Sequence, residues 1–196
     1  MIGLTKNEGK ALLILFKDIT SYHNANSLSK KLGISRIGSM KMLKKLEEEE
    51  LLISEVIGKS TVYKPNLKDD YVRDLISFLL SNEANNFRRW KDEFRGLFGK
   101  GRIVMLYGST IKDYSKARDI DIMIIKKKSE DKEIYKVISE RQGVLPKKIH
   151  EIVLTPQEFL NNIKGKQKAI IDTVKNAIVL YGQIRYVVLI KNVTNI

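Results

Sequence analysis

The sequence predicts an α+β chain of two domains joined by helices. Its 196 residues exceed what one small core requires, since domains cluster near ~100 to 150 residues. Before residue 68 the apolar residues recur at helical spacing and then give way to two short β-rich runs. Beyond Gly99, apolar β-runs alternate with helical intervals, which is the α/β-like signature of a sheet carrying helices.

Taken in order, Thr5 to Glu8 forms a capping box that starts a first helix with Leu12, Leu13, Leu15 and Phe16 mostly on one face. The turn-prone run Thr20 to Asn24 ends it. Asn26 to Gly33 reads as a short helix closed by a glycine free to turn left-handed. Ser35 caps a third helix in which Ile37, Met40, Leu43 and Leu46 form an apolar stripe, leaving Arg36, Lys41, Lys44 and Lys45 largely off it. Leu52 to Ile57 and Ser60 to Lys64 are strands around Gly58-Lys59, a pair suited to a type II′ hairpin.

Three helices and a hairpin, over residues 1–68, resemble the winged helix-turn-helix modules of bacterial and archaeal regulators. The resemblance implies a DNA-binding surface, with RNA as the other nucleic acid such a platform accepts. Ser35, Arg36, Ser39, Lys41 and Lys45 would face a major groove and Lys59, at the hairpin tip, would meet phosphates. Residues 69–98 carry Tyr71, Leu75, Phe78, Leu79, Phe87, Trp90 and Phe94 at three- and four-residue spacings, interrupted by the polar run Ser81 to Asn86. They predict a linker of two helices, whose aromatic residues either pack the domains or hold a homodimer together.

In the third segment, 99–196, the predicted strands are Ile103 to Leu106, Ile120 to Ile125, Ile149 to Leu154 and Ala177 to Leu180. Asp131 to Arg141, Gln157 to Ile163 and Gln167 to Lys175 supply helices, and Ile184 to Ile190 reads as a further strand.

Charge and composition narrow the function classes. A net charge of +13 favours polyanionic partners, although a lysine-rich surface produces the same figure without one. With no cysteine, disulfides and thiolate metal sites are excluded, and a cytoplasmic protein is the expectation. Met1 to Lys6 leads straight into a charged amphipathic segment, and no apolar run approaches the ~18 residues of a membrane span, so neither export nor membrane insertion is expected.

The chemistry concentrates in one spaced pattern. Ile103 to Tyr107 runs into Gly108-Ser109, and nine residues separate these from Asp119-Ile120-Asp121-Ile122. Because side chains two apart on a strand share a face, Asp119 and Asp121 converge while Ile120 and Ile122 turn to the core. Two carboxylates held close call for a cation, and magnesium, which joins carboxylates to substrate phosphates, fits that need. Gly108 removes a Cβ where a phosphate would approach the backbone, and Ser109 offers an amide and a hydroxyl.

This frame resembles the nucleotidyltransferase superfamily of the DNA polymerase beta type, in particular its minimal members of archaea and bacteria. The resemblance spans roughly Gly101 to Leu180 and implies a mixed sheet flanked by helices, with Asp119 and Asp121 binding magnesium (manganese being the substitute) and Gly108 and Ser109 holding a nucleoside triphosphate. The superfamily's third carboxylate falls to Glu151 as a catalytic and metal-binding residue. If Ile149 and Val153 share the face of Glu151, His150 takes that position; otherwise neither His23 nor His150 has a catalytic duty. Lys112 and Arg118 are candidates for contacting phosphates.

The expectation is therefore a nucleotidyltransferase that moves a nucleoside monophosphate from a triphosphate to an acceptor hydroxyl. A DNA-binding transcriptional regulator whose second domain senses nucleotide or is inactive is the alternative, and a toxin-antitoxin component the third reading.

Overall fold

A computed structural model describes residues 3–194; Met1 and Ile2 of the N-terminal run and the last two residues of the C-terminal segment lie outside it. The chain divides into two compact units, Met1–Leu79 and Leu80–Ile196.

The first unit begins with α1 (Lys6–Lys17), where the expected capping box is present: the Glu8 amide donates to Thr5 Oγ1, and the Thr5 amide donates to Glu8 Oε2 at 2.6 Å. Next come α2 (Ala25–Leu32), closed by Gly33 at φ 67°, and α3 (Arg36–Glu48), capped by Ser35. Strands β1 (Leu52–Ile57) and β2 (Ser60–Pro65) pair antiparallel, with Ile57 opposite Ser60. Gly58 takes φ 60°, as the first turn position of a type II′ hairpin requires, and Lys59 stays out of the left-handed region. Ala11, Leu12, Leu15, Phe16, Leu28, Leu43 and Leu46 are buried. A charged tie lies at the edge of this core: Nζ of half-exposed Lys45 is 2.8 Å from Oε1 of buried Glu8. Burial alone would raise the Glu8 pKa, but hydrogen bonds from Lys45 and Thr5 outweigh it and hold the carboxyl below its ordinary value.

The α3 stripe differs from the sequence expectation. Ile37 and Met40 are 64% and 43% exposed, whereas Ser39, Leu43 and Leu46 are wholly buried. These three stand at i, i+4 and i+7, the inward spacing of an α-helix, so the inward face is turned from the one that three-residue counting selects.

The boundary between the units falls inside one helix, α4 (Asp70–Asn85), followed by a short α5 (Arg88–Glu93). The polar run from Ser81 is helical through Asn85, and the break narrows to Asn86-Phe87. Trp90, Phe94 and Leu97 belong to the core of the second unit, which makes the second half of the expected 69–98 segment part of that fold.

The second unit is built on a mixed four-stranded sheet in the order β5-β4-β3-β6. Strand β3 (Ile103–Tyr107) is antiparallel to both β4 (Asp119–Ile125) and β6 (Ile178–Tyr181), while β5 (Lys148–Leu154) runs parallel to β4 after the crossover helix α6 (Asp131–Gln142). Helices α7 (Pro156–Lys164) and α8 (Lys168–Asn176) lead to β6. Val104, Leu106, Ile120, Ile122 and Ile124 form one buried face with Ile134 and Ile138 of α6. Met105, Met123 and Ile125, which alternate with them, are also buried, so both faces of the central strands are covered. The expected strand over Ile184 to Ile190 is instead helix α9 (Gln183–Thr194), with Tyr186, Val187 and Ile190 buried and Ile184 and Val188 exposed. Among the described residues, no helix is long and apolar enough to cross a membrane.

Candidate functional sites

The C-terminal end of β3 and the start of β4 lie side by side, with Tyr107 opposite Asp121. Ile120 and Ile122 are fully buried in the core, which turns Asp119 and Asp121 to the other face, where both are partly exposed. This is the convergence expected from alternation.

Gly108 is required there. It adopts φ 77°, and a Cβ on it would lie 2.0 Å from Asp121 Oδ2. Thr110, buried in the single turn Ser109–Ile111, donates its hydroxyl to the Asp119 carbonyl at 2.7 Å, tying the Gly-Ser turn to the aspartate strand. Ser109 itself is exposed.

The third group on the aspartate face is His150, not Glu151. In the parallel ladder, Asp121 pairs with His150 and Ile122 with Glu151, and partners in register point to the same side. Ile149 is buried beside Ile120, and Glu151, two residues on, follows Ile149 to the apolar face, where it stands exposed on an edge strand. His150 Nδ1 lies 3.1 Å from Asp119 Oδ2 and 3.9 Å from Asp121 Oδ1. One ligand atom from each of Asp119, Asp121 and His150 falls within 4.8 Å of the others. The assignment of Glu151 as the third ligand is corrected accordingly, as is the view that His150 has no part in the site.

Electrostatically, the aspartate site is short of positive charge. Among the described residues, neither aspartate has a lysine or arginine within ion-pair distance, and His150 is their partner. Burial and then the charge of Asp119 raise the Asp121 pKa, with His150 opposing. Tyr107 is pushed up to about 12 by burial and then by the charges of Asp121, Asp119 and Glu151. Two carboxylates with few counter-charges favour a divalent cation: oxygen atoms suit magnesium, while the imidazole nitrogen adds a donor that magnesium seldom recruits.

Lys112 and Arg118 are exposed on the segment between the two halves of the frame. One anchor of that segment escaped the sequence reading. Lys147 Nζ donates to the carbonyls of Tyr114, Ser115 and Ala117, the last at 2.5 Å, and sits 4.3 Å over the Tyr114 ring. Arg89 covers the same ring at 4.4 Å. A lysine next to a strand start gives no sequence signal for such a clamp.

In the first unit, Arg36, Lys41 and Lys44 are exposed on α3 and Lys59 is exposed at the hairpin tip. Ser35 spends its hydroxyl on the Gly38 amide at 3.0 Å as the helix cap. One expected nucleic-acid contact needs correction: Ser39 is wholly buried because it lies on the inward spacing, whereas Lys45 is exposed and ion-paired with Glu8 and, at 3.8 Å, with Glu49.

No family model matches the chain, and no curated protein matches it. Solved structures that are similar in part include three variants of ZitR from Lactococcus lactis. The first has a TM-score of 0.38 at 21% identity over 47% of this chain and 64% of that one. The other two have TM-scores of 0.37 at 21% identity, over 47% and 48% of this chain and 64% of theirs. These alignments span less than two thirds of the ZitR chains, and likenesses of this size carry no argument about fold or function.

Proposed function

We propose that this chain is a metal-dependent nucleotidyltransferase of the polymerase beta type, whose winged-helix unit brings a nucleic acid to it. One observation carries the reading. Asp119 and Asp121 converge on one sheet face, beside a Gly108-Ser109 turn whose glycine is required by the position of Asp121. A bound divalent cation would neutralise charge on the triphosphate and lower the barrier to attack at the α-phosphorus. Asp119 and Asp121 would hold that cation, the Gly108-Ser109 backbone would receive phosphate oxygens, and Lys112 and Arg118 would meet the remaining charge. In the transfer, the acceptor hydroxyl oxygen bonds to the α-phosphorus, the bond to the bridging oxygen of pyrophosphate breaks, and the hydroxyl proton leaves to solvent.

A second reading is a nucleotide sensor that binds triphosphate without transferring it. The observation favouring it is the imidazole standing where a third carboxylate was expected. One experiment separates the two. Wild type and Asp121→Ala are incubated with each labelled triphosphate, magnesium or manganese, and total RNA and protein extract. Label transfer that disappears in the variant supports the enzyme. Triphosphate binding with no transfer under any condition supports the sensor and overturns the transferase.

A further inference from the structure

We infer that the Asp119-Asp121 site takes its third protein ligand from His150 and prefers a divalent transition ion, such as manganese or zinc, over magnesium. The inference rests on reading the two aspartates as metal ligands and goes beyond it by fixing the donor set. Four observations bear on it.

Sheet register places His150 beside Asp121, so the imidazole belongs to the site by construction of the parallel ladder rather than through a mobile loop. Its Nδ1 is 3.1 Å from Asp119 Oδ2, the spacing that adjacent ligands of a single ion held at about 2.1 Å would show. Glu151, the one acidic residue of β5, is committed to the opposite face, so β5 does not complete an all-oxygen set. Among the described residues, Asp119, Asp121 and His150 are also the group of His, Asp and Glu side chains near enough to share a metal ion.

Donor chemistry then selects the ion. Magnesium favours oxygen ligands and keeps its waters, whereas imidazole suits first-row transition ions, whose affinity rises from manganese to copper, with zinc below copper and above manganese. Two carboxylates and one imidazole leave coordination positions open for phosphate oxygens and water, as an ion that meets a substrate requires.

The test reads metal binding, so its outcome is independent of whether label transfer occurs. The full chain is titrated with manganese, magnesium and zinc, and the manganese form is examined by pulsed electron paramagnetic resonance for coupling to an imidazole nitrogen. Expected results are manganese binding at least about tenfold tighter than magnesium, displacement of manganese by zinc, and coupling to one nitrogen. His150→Ala should abolish the coupling and bring the two affinities within about threefold, His150→Asp should strengthen magnesium binding relative to wild type, and Glu151→Ala should change neither coupling nor preference. His150 has a half-exposed side chain, so these variants are not expected to unfold the chain. Manganese bound without nitrogen coupling, or a manganese preference unchanged in His150→Ala, would overturn the inference.

Discussion

Gly108 leaves β3 at φ 77°, with the Asp121 carboxylate occupying the space where a side chain would begin. In Gly108→Ala the new Cβ meets a carboxylate oxygen, the free end of a short side chain, so Asp121 would yield before the backbone does. Backbone at φ 77° and ψ −158° lies in a region that is essentially glycine's own, which adds a cost of about 1 to 3 kcal/mol for a residue with a Cβ. The expected outcome is a variant that stays folded, with a modest stability loss in denaturant titration, and that loses most of its divalent-cation affinity. Unchanged metal binding would mean that Asp121 does not need the glycine's space. Of this site, the placement of Gly108, Asp119 and Asp121 is legible in the sequence because it follows from alternation and the absence of a Cβ. The choice between Glu151 and His150 is not, because residue types alone do not say which face of β5 is inward. Buried Ile149 settles it by anchoring the register. Ser39 shows the same limit on a helix, since a small polar residue at an inward position is indistinguishable by type from one that faces a groove.

Among the elements, strands β3 to β6 and helices α1 to α3 and α6 to α8 lie close to where apolar spacing and caps put them. The exception is α9. Its Val187, Val188 and Ile190 favour strands by composition, yet Tyr186, Val187 and Ile190 form a buried helical stripe, so packing overrides propensity. Helix α3 and the β1-β2 hairpin carry a prediction of their own. With Ser39 buried, exposed Arg36, Lys41 and Lys45 and the hairpin-tip Lys59 are the groups that the proposed nucleic-acid surface would turn to phosphates. Arg36→Ala combined with Lys59→Ala should weaken duplex DNA binding and flatten its dependence on log salt by about one unit for each phosphate no longer neutralised, as read by fluorescence anisotropy across a salt series. Binding with an unchanged slope would place the nucleic-acid surface elsewhere.

At the scale of the molecule, the sequence predicts a helical segment over 69–98 between two domains, and the structure divides into two compact units at Leu79–Leu80. Aromatic residues at helical spacing from Tyr71 to Phe98 look the same whether they form a linker or enter a core. Burial decides it: Val72 and Ile76 are buried on the first-unit part of α4, while Ala84, Trp90, Phe94 and Leu97 join the core of the second unit. The excess of positive charge is a property of the whole chain, and among the described residues no lysine or arginine neutralises Asp119 and Asp121 directly. Under the function proposed above, the excess positive charge would draw in a polyanion and the two aspartates would present it with a cation. That account depends on where the cation sits. The most direct measurement is anomalous diffraction from crystals of the full chain grown with manganese and a non-hydrolysable triphosphate. A single manganese peak within ligand distance of Asp119, Asp121 and His150, with triphosphate oxygens completing its shell beside Gly108-Ser109, is the result predicted; manganese bound away from the two aspartates, or held with Glu151 in place of His150, would contradict it.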